Sequence, residues 1–156
     1  EHNQSIASLP QWSRWGFIRA ARERKQALAA QDRLRIKLHA LSDPITSLSG
    51  GNQQKVILAK WLATGAPVLV LDNPTQGIAV GAKAEIYPLI RALASDGKAV
   101  LVSSSEVAEL QQVCDRVLVF YRGRIVAELH NAQVNEDAVM RSATGVTQTS
   151  PEATSP

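Results

Sequence analysis

Ser49-Gly50-Gly51 stands directly ahead of a run of helix formers, a combination that can hold an anion. Two glycines let backbone approach a ligand closely, a serine supplies a hydroxyl, and a helix start turns unpaired N–H groups outward. A phosphate fits such a cradle. An ordinary serine N-cap with a glycine-rich turn has the same composition, so the triplet alone leaves both readings open. A second candidate is Val68-Leu69-Val70-Leu71-Asp72-Asn73-Pro74-Thr75, an apolar strand that ends in an acid. An aspartate at the carboxyl end of a buried strand can hold the magnesium of a bound nucleotide through water. Many strands also end in aspartate for the sake of the turn that follows.

The elements that must position these residues are legible from pattern. From Arg19 to about His39 the chain is dense in Ala, Arg, Gln and Leu, which predicts one or two helices with Leu28, Leu34 and Leu38 available for an apolar stripe. Ser42-Asp43-Pro44 interrupts that pattern. A helix from about Gly51 to Ala63 follows, opened by Ser49-Gly50-Gly51. Beyond Gly65 come short apolar runs, Val68–Leu71, Ala99–Val102 and Val117–Tyr121, with helical segments Gly81–Ser95 and Glu106–Val113 between them. Such runs suit strands buried on both faces of a parallel sheet covered by helices. Arg122-Gly123 is a turn signal, so Arg124–Leu129 should complete a hairpin, and a short helix is expected over Asn135–Ala143. The Thr-, Ser- and Pro-rich tail from Thr144 is expected to be disordered. The organisation predicted is therefore a helical subdomain over 1–63, part of an α/β core over 64–143, and the tail over 144–156.

Composition narrows the function classes. The 156 residues are 45% hydrophobic and 20% charged, enough for one α/β domain or a large piece of one. A net charge of +3 without a nucleic-acid-reading motif argues against a nucleic-acid partner. Arg19, Arg22, Arg24 and Lys25 read as a solvated helix face. His39 and His130 have no companions at metal-ligand spacing. Cys114 is the only cysteine, which excludes an internal disulfide and favours a reducing compartment; its apolar neighbours suggest a packed thiol. No apolar run approaches the roughly 18 to 20 residues of a membrane-spanning helix, and the start has no signal-peptide pattern. Position 1 is Glu, and the strand and glycine-rich turn that normally open a nucleotide-binding unit do not precede the first strand. The expectation is that the chain begins inside a longer reading frame and that its sheet is truncated.

Taken in order, Leu48-Ser49-Gly50-Gly51-Asn52-Gln53-Gln54-Lys55, Ala59-Lys60-Trp61-Leu62-Ala63, the strand ending at Asp72, and Gly77-Ile78-Ala79-Val80-Gly81-Ala82-Lys83-Ala84-Glu85-Ile86-Tyr87 resemble the ABC ATPase family. More narrowly, they are similar to the second nucleotide-binding domain of tandem sugar importers of the ribose, galactose and xylose type, with the likeness running from about Ser8 to Gly145. The resemblance implies an α/β fold: part of a P-loop NTPase domain, with the helical signature subdomain followed by the C-terminal part of the parallel-sheet core. It places Ser49, Gly50, Gly51 and Gln53 in the signature that closes over a nucleotide held by the partner domain, Asp72 at the Walker B magnesium position, and 77–82 in the loop crossing between paired domains. Cys114–Val119 resembles the strand leaving the switch region and should be structural. Trp12 and Trp15 face two equal readings, packing within the domain or against a permease coupling helix.

Several positions depart from the family pattern. Asn73 stands where the family usually has the Glu that polarises the attacking water; an amide can orient water but cannot take its proton. Ser105 occupies the usual switch histidine position, a histidine that second domains of sugar importers commonly lack. Ala79 replaces the usual interfacial Asp, and Pro88 falls within an expected helix. The largest departure is that no Gly-x-x-x-x-Gly-Lys-Ser/Thr sequence occurs, so the phosphate-cradling loop and its lysine are not supplied by this chain.

The function implied is an energy-coupling piece of a sugar-type ABC importer. It would donate its signature to ATP and Mg2+ on another nucleotide-binding domain, be inactive in hydrolysis alone, and sit in the cytoplasm on the inner face of the membrane through a permease subunit. The competing reading is a truncated, non-enzymatic remnant or interaction module.

Overall fold

The computed structural model describes residues 6–8, 13–14, 17–18 and 20–145. Trp12, Trp15 and the tail beyond Gly145 lie outside the described residues. The chain divides into two compact units, 1–103 and 104–156, each of which is described by itself. The boundary expected at residue 63 falls inside the first unit.

In the first unit, a two-residue pair of strands, β1 (Ser13–Arg14) and β2 (Phe17–Ile18), precedes helix α1 (Ala20–Leu34). The expected helix to His39 stops five residues early. Arg35 takes a left-handed conformation with φ +51°; the Ile36 N–H then bonds the Gln31 carbonyl at 2.9 Å and the Arg35 N–H that of Asp32 at 3.3 Å. These are the paired bonds of a Schellman ending, sealed by the buried Ile36. Leu34 is buried, but Leu28 is 44% exposed and Leu38 lies past the helix, so the expected leucine stripe is not the packed face. Small Ala27 fills that role beside Leu34.

Helix α2 (Gly50–Leu62) follows, with Ser49 at its N-cap. Its residues Gly51, Lys55 and Ala59, four apart, are all buried. Strand β3 (Val68–Asp72) pairs in parallel with β4 (Ala99–Ser103) in the register Val68↔Ala99 to Asp72↔Ser103. Helix α3 (Val80–Ser95) makes the crossover between them and packs on β4, as a parallel pair requires. Burial in β3 alternates: Leu69 is buried while Val68 and Val70 are 56% and 69% exposed, and Leu101 of β4 is 61% exposed. The expectation of burial on both faces is therefore corrected for this pair of strands. One face carries α3 and the other is open to solvent.

Helix α3 runs through Pro88. Pro88 and Ala84, whose carbonyl would have received the missing N–H, are both on the exposed side, where water can bond that carbonyl. Ile86, Ile90 and Leu93 face inward at 1% exposure or less. Gly97, at φ +85°, ends the helix with the Schellman pair Lys98 N–H to Leu93 O and Gly97 N–H to Ala94 O.

The second unit holds α4 (Val107–Val113), a hairpin of β5 (Arg116–Tyr121) and β6 (Arg124–His130), and α5 (Glu136–Ala143), which packs on β5. Arg122 and Gly123 both take positive φ, +47° and +76°, the requirement of a two-residue turn that matches strand twist. Val113, Val117, Val119 and Val134 form its core. Cys114 is half-buried. Thr144 and Gly145, at the expected start of the tail, are held: the Thr144 hydroxyl donates to the Met140 carbonyl at 2.9 Å, and a Cβ on Gly145 would sit 2.9 Å from the Tyr121 ring.

Candidate functional site

The start of α2 is built so that its hydroxyl points away from the helix's own needs. Ser49 is extended at φ −62° and ψ 153°, and its side chain makes no capping bond to the helix. Its Oγ accepts instead from Asn52 Nδ2 at 2.9 Å. Asn52 is fixed in turn by the Lys37 N–H, which donates to Oδ1 at 2.8 Å. The first intrahelical bond runs from the Gln53 N–H to the Ser49 carbonyl at 2.9 Å, so the N–H groups of Gly50, Gly51 and Asn52 find no partner among the described residues. Ser49 and Gly50 are exposed, and the positive end of the helix dipole adds to the field there. Gln53 braces the segment by donating from Nε2 to the Leu48 carbonyl at 2.8 Å.

The glycines answer to close packing. A Cβ on Gly51 would lie 2.7 Å from the Cβ of Ala82, and one on Gly50 would lie 3.2 Å from Ile78 Cγ2. Segments 49–53 and 77–82 are thus brought together, an approach that the absence of a side chain at Gly51 permits. Ala79 is the N-cap of α3 and has no polar side chain to offer; the first bonds there run from Ala82 and Lys83 N–H to its carbonyl.

At the end of β3, Asp72 is exposed and its Oδ1 accepts from Asn73 Nδ2 at 3.1 Å. Asn73 extends the ladder by donating its N–H to the Ser103 carbonyl at 2.8 Å, then turns at φ +43°. Asparagine tolerates that left-handed conformation better than most side chains. An aspartate accepting a single amide bond retains lone pairs for a water on a magnesium ion, so the donor set fits the metal. Among the described residues no cluster of three or more metal-type ligands occurs. Ser105 belongs to the second unit, exposed, one residue past Ser104, whose hydroxyl donates to the buried carboxylate of Glu109.

One ion pair near the site, built on a buried lysine, carries no sequence motif of its own. Lys55 is buried, and its Nζ lies 2.8 Å from Glu85 Oε2 and 3.2 Å from the Arg35 carbonyl oxygen. The hydrogen bond from Lys55, with the charges of Lys55 and Lys37, holds the Glu85 carboxyl below its ordinary value of 4.5. The available signal was the four-residue stripe Gly51, Lys55, Ala59, which puts a cation on the packed face of α2.

A partial α/β unit with a parallel strand pair and a glycine-tight helix start is the class that this geometry defines, and the chain belongs to the ABC transporter ATP-binding family. The family model described as ABC transporter matches residues 2–76. The ribose import ATP-binding protein RbsA 2 of Streptomyces avermitilis is 46% identical over 145 residues, which is 93% of this chain and 29% of that protein. The ribose import ATP-binding protein RbsA of Rhodopirellula baltica is 48% identical over 141 residues, 90% of this chain and 28% of that protein. The chain thus spans less than a third of these relatives. Among solved structures, the ATP-binding cassette MJ1267 of an ABC transporter superposes with a TM-score of 0.75 at 19% identity, over 93% of this chain and 60% of that one. The dimeric cassette MJ0796 superposes with a TM-score of 0.65 at 24% identity, over 82% and 56%. These structures share the fold, a partial ABC ATPase domain. No helix among the described residues is long and apolar enough to cross a membrane.

Proposed function

We propose that this chain is an energy-coupling part of a sugar-type ABC importer ATPase, and that it donates Ser49, Gly50, Gly51 and Gln53 to the γ-phosphate of an ATP held by another nucleotide-binding domain. The observation that carries this reading is the start of α2, where Ser49 and Gly50 are exposed, the Ser49 side chain makes no capping bond and the N–H groups of Gly50, Gly51 and Asn52 have no partner among the described residues, while the glycines seat the segment against 77–82. Donors fixed before the phosphate arrives need no reorganisation when charge develops on it. Relatives 46% and 48% identical to this chain over the aligned 145 and 141 residues carry the name ribose import ATP-binding protein, which supports a monosaccharide-type cargo.

The chain's own hydrolytic set is weak. Asp72 can orient a magnesium-bound water, and magnesium would supply charge neutralisation at the phosphates. Asn73 orients but cannot accept a proton, and Ser105 brings no imidazole. Catalysis therefore belongs to the site on the partner domain. A permease subunit would hold the chain at the inner face of the membrane, with the rest of the protein in the cytoplasm.

A second reading, a non-enzymatic interaction module, is favoured by the open face of Val68, Val70 and Leu101 together with Asn73. Turnover of Mg-ATP separates the two. Silence of the purified chain alone, with stimulated hydrolysis on mixing with a phosphate-loop-bearing ABC ATPase domain from the same gene neighbourhood, supports donation. Silence in both supports the module.

A further inference from the structure

The buried ammonium of Lys55 has a geometry that the signature alone does not explain. Its side chain is 3% exposed, and a cation so placed persists only where partners compensate for its lost hydration. Those partners come from two other elements: Glu85 on α3, and the carbonyl of Arg35, the left-handed residue that ends α1. Lys55 lies one turn beyond Gly51 on α2, and Glu85 three residues beyond Ala82 on α3. The close approach of Gly51 to Ala82 and the ion pair therefore join the same two helices at successive levels. One contact would leave the helices free to rotate about it; two do not.

The connection continues to the hydroxyl. Glu85 Oε1 also lies 3.6 Å from Lys37 Nζ. The Lys37 N–H holds Asn52 Oδ1, and Asn52 Nδ2 holds Ser49 Oγ. A chain of contacts thus runs from Lys55 through Glu85, Lys37 and Asn52 to the hydroxyl of the exposed Ser49.

We propose that Lys55 is a positioning residue: acting through Glu85 and the Arg35 carbonyl, it locks the signature segment 49–53 and the segment 77–82 into one body that meets the nucleotide in a fixed register. This rests on the reading that the signature is donated to a partner domain. Lys55 itself does not reach the phosphate, because its ammonium is turned toward α3 and the end of α1.

The test uses the full chain mixed with the phosphate-loop-bearing partner, reading kcat and KM for ATP alongside thermal unfolding. Lys55→Met is expected to lower kcat about tenfold or more, with KM for ATP changed less than threefold because the partner holds the nucleotide. Lys55→Arg should restore most of the loss. Glu85→Ala should show the same kcat loss with a lowered melting point, because it leaves the Lys55 ammonium buried with only the Arg35 carbonyl; the double variant Lys55→Met with Glu85→Ala removes both charges and keeps the test decisive if a single variant does not fold. Gly51→Val is the control. If it abolishes stimulation while folded Lys55→Met and Glu85→Ala stimulate like the parent, the positioning role is overturned and donation stands. If Gly51→Val also stimulates normally, donation fails and the positioning role fails with it.

Discussion

Helices α2 and α5 both begin at a polar N-cap residue, and they use it differently. At the start of α5, the Asn135 side chain accepts from the Ala138 N–H at 2.9 Å, satisfying one of the helix's own orphan donors. At the start of α2, Ser49 makes no such bond, and its hydroxyl is held sideways by Asn52. Both starts satisfy the same sequence rule. The difference teaches that an N-cap residue can serve its helix or keep helix and hydroxyl open to something outside, and that the residue behind it decides which. In α2 that residue is Asn52, anchored on the Lys37 backbone.

The largest effect that can break this comparison is expected at Gly51. Gly51→Val forces the start of α2 away from Ala82, and stimulated hydrolysis by the mixed proteins should fall by about 100-fold, the scale of losing fixed donors at a developing charge. Exchanging the methyl, Gly51→Ala with Ala82→Gly, should return most of it. An unchanged rate for Gly51→Val would mean that the α2 start is not used.

Ser49→Ala sharpens the contrast. It should leave the free energy of urea unfolding within about 0.5 kcal/mol of the parent, since no cap is lost, while stimulated hydrolysis drops by about tenfold, the equivalent of roughly 1.4 kcal/mol. Asn135→Ala should do the reverse, costing about 1 kcal/mol of stability and leaving stimulation by the folded protein as it was. If Ser49→Ala destabilises as much as Asn135→Ala, the two helix starts are alike after all.

The smallest effect is in acid. Glu85 has its folded pKa depressed, mainly by the hydrogen bond from Lys55. It therefore adds stability that is fully present above its ordinary value of 4.5 and is lost as pH falls through the lower folded value. Glu85→Gln should flatten the dependence of stability on pH below about 4.5; an unchanged slope would mean that the contact with Lys55 adds nothing in solution.

Much of the fold was legible because apolar runs and turn residues are local signals. The strands at 68, 99, 117 and 124 and the turn at Arg122-Gly123 lie where pattern placed them. The end of α1 was not legible, because Arg35 in a left-handed conformation carries no glycine to announce it. Nor was the open face of β3 and β4, since an apolar run looks the same whether one face is covered or two. The candidate site divided in the same way. Ser49, Gly50 and Gly51 announced themselves by type and spacing. Lys55 did not, because a lysine reads as surface until its helix face is known, and its partners Arg35 and Glu85 are 20 and 30 residues away. Asn73 reads in sequence as a missing acid; the structure adds a backbone reason for it, the φ of +43° at that turn.

Donation of the α2 start to a nucleotide on another chain can be read directly by photo-crosslinking. A photoreactive ATP analogue with its label on the γ-phosphate would be bound to the phosphate-loop-bearing partner, mixed with this chain and irradiated, and the labelled peptide mapped. Label is expected within 49–53 and should disappear in Gly51→Val. Label at Asp72–Thr75, or on the partner alone while hydrolysis is being stimulated, would contradict it.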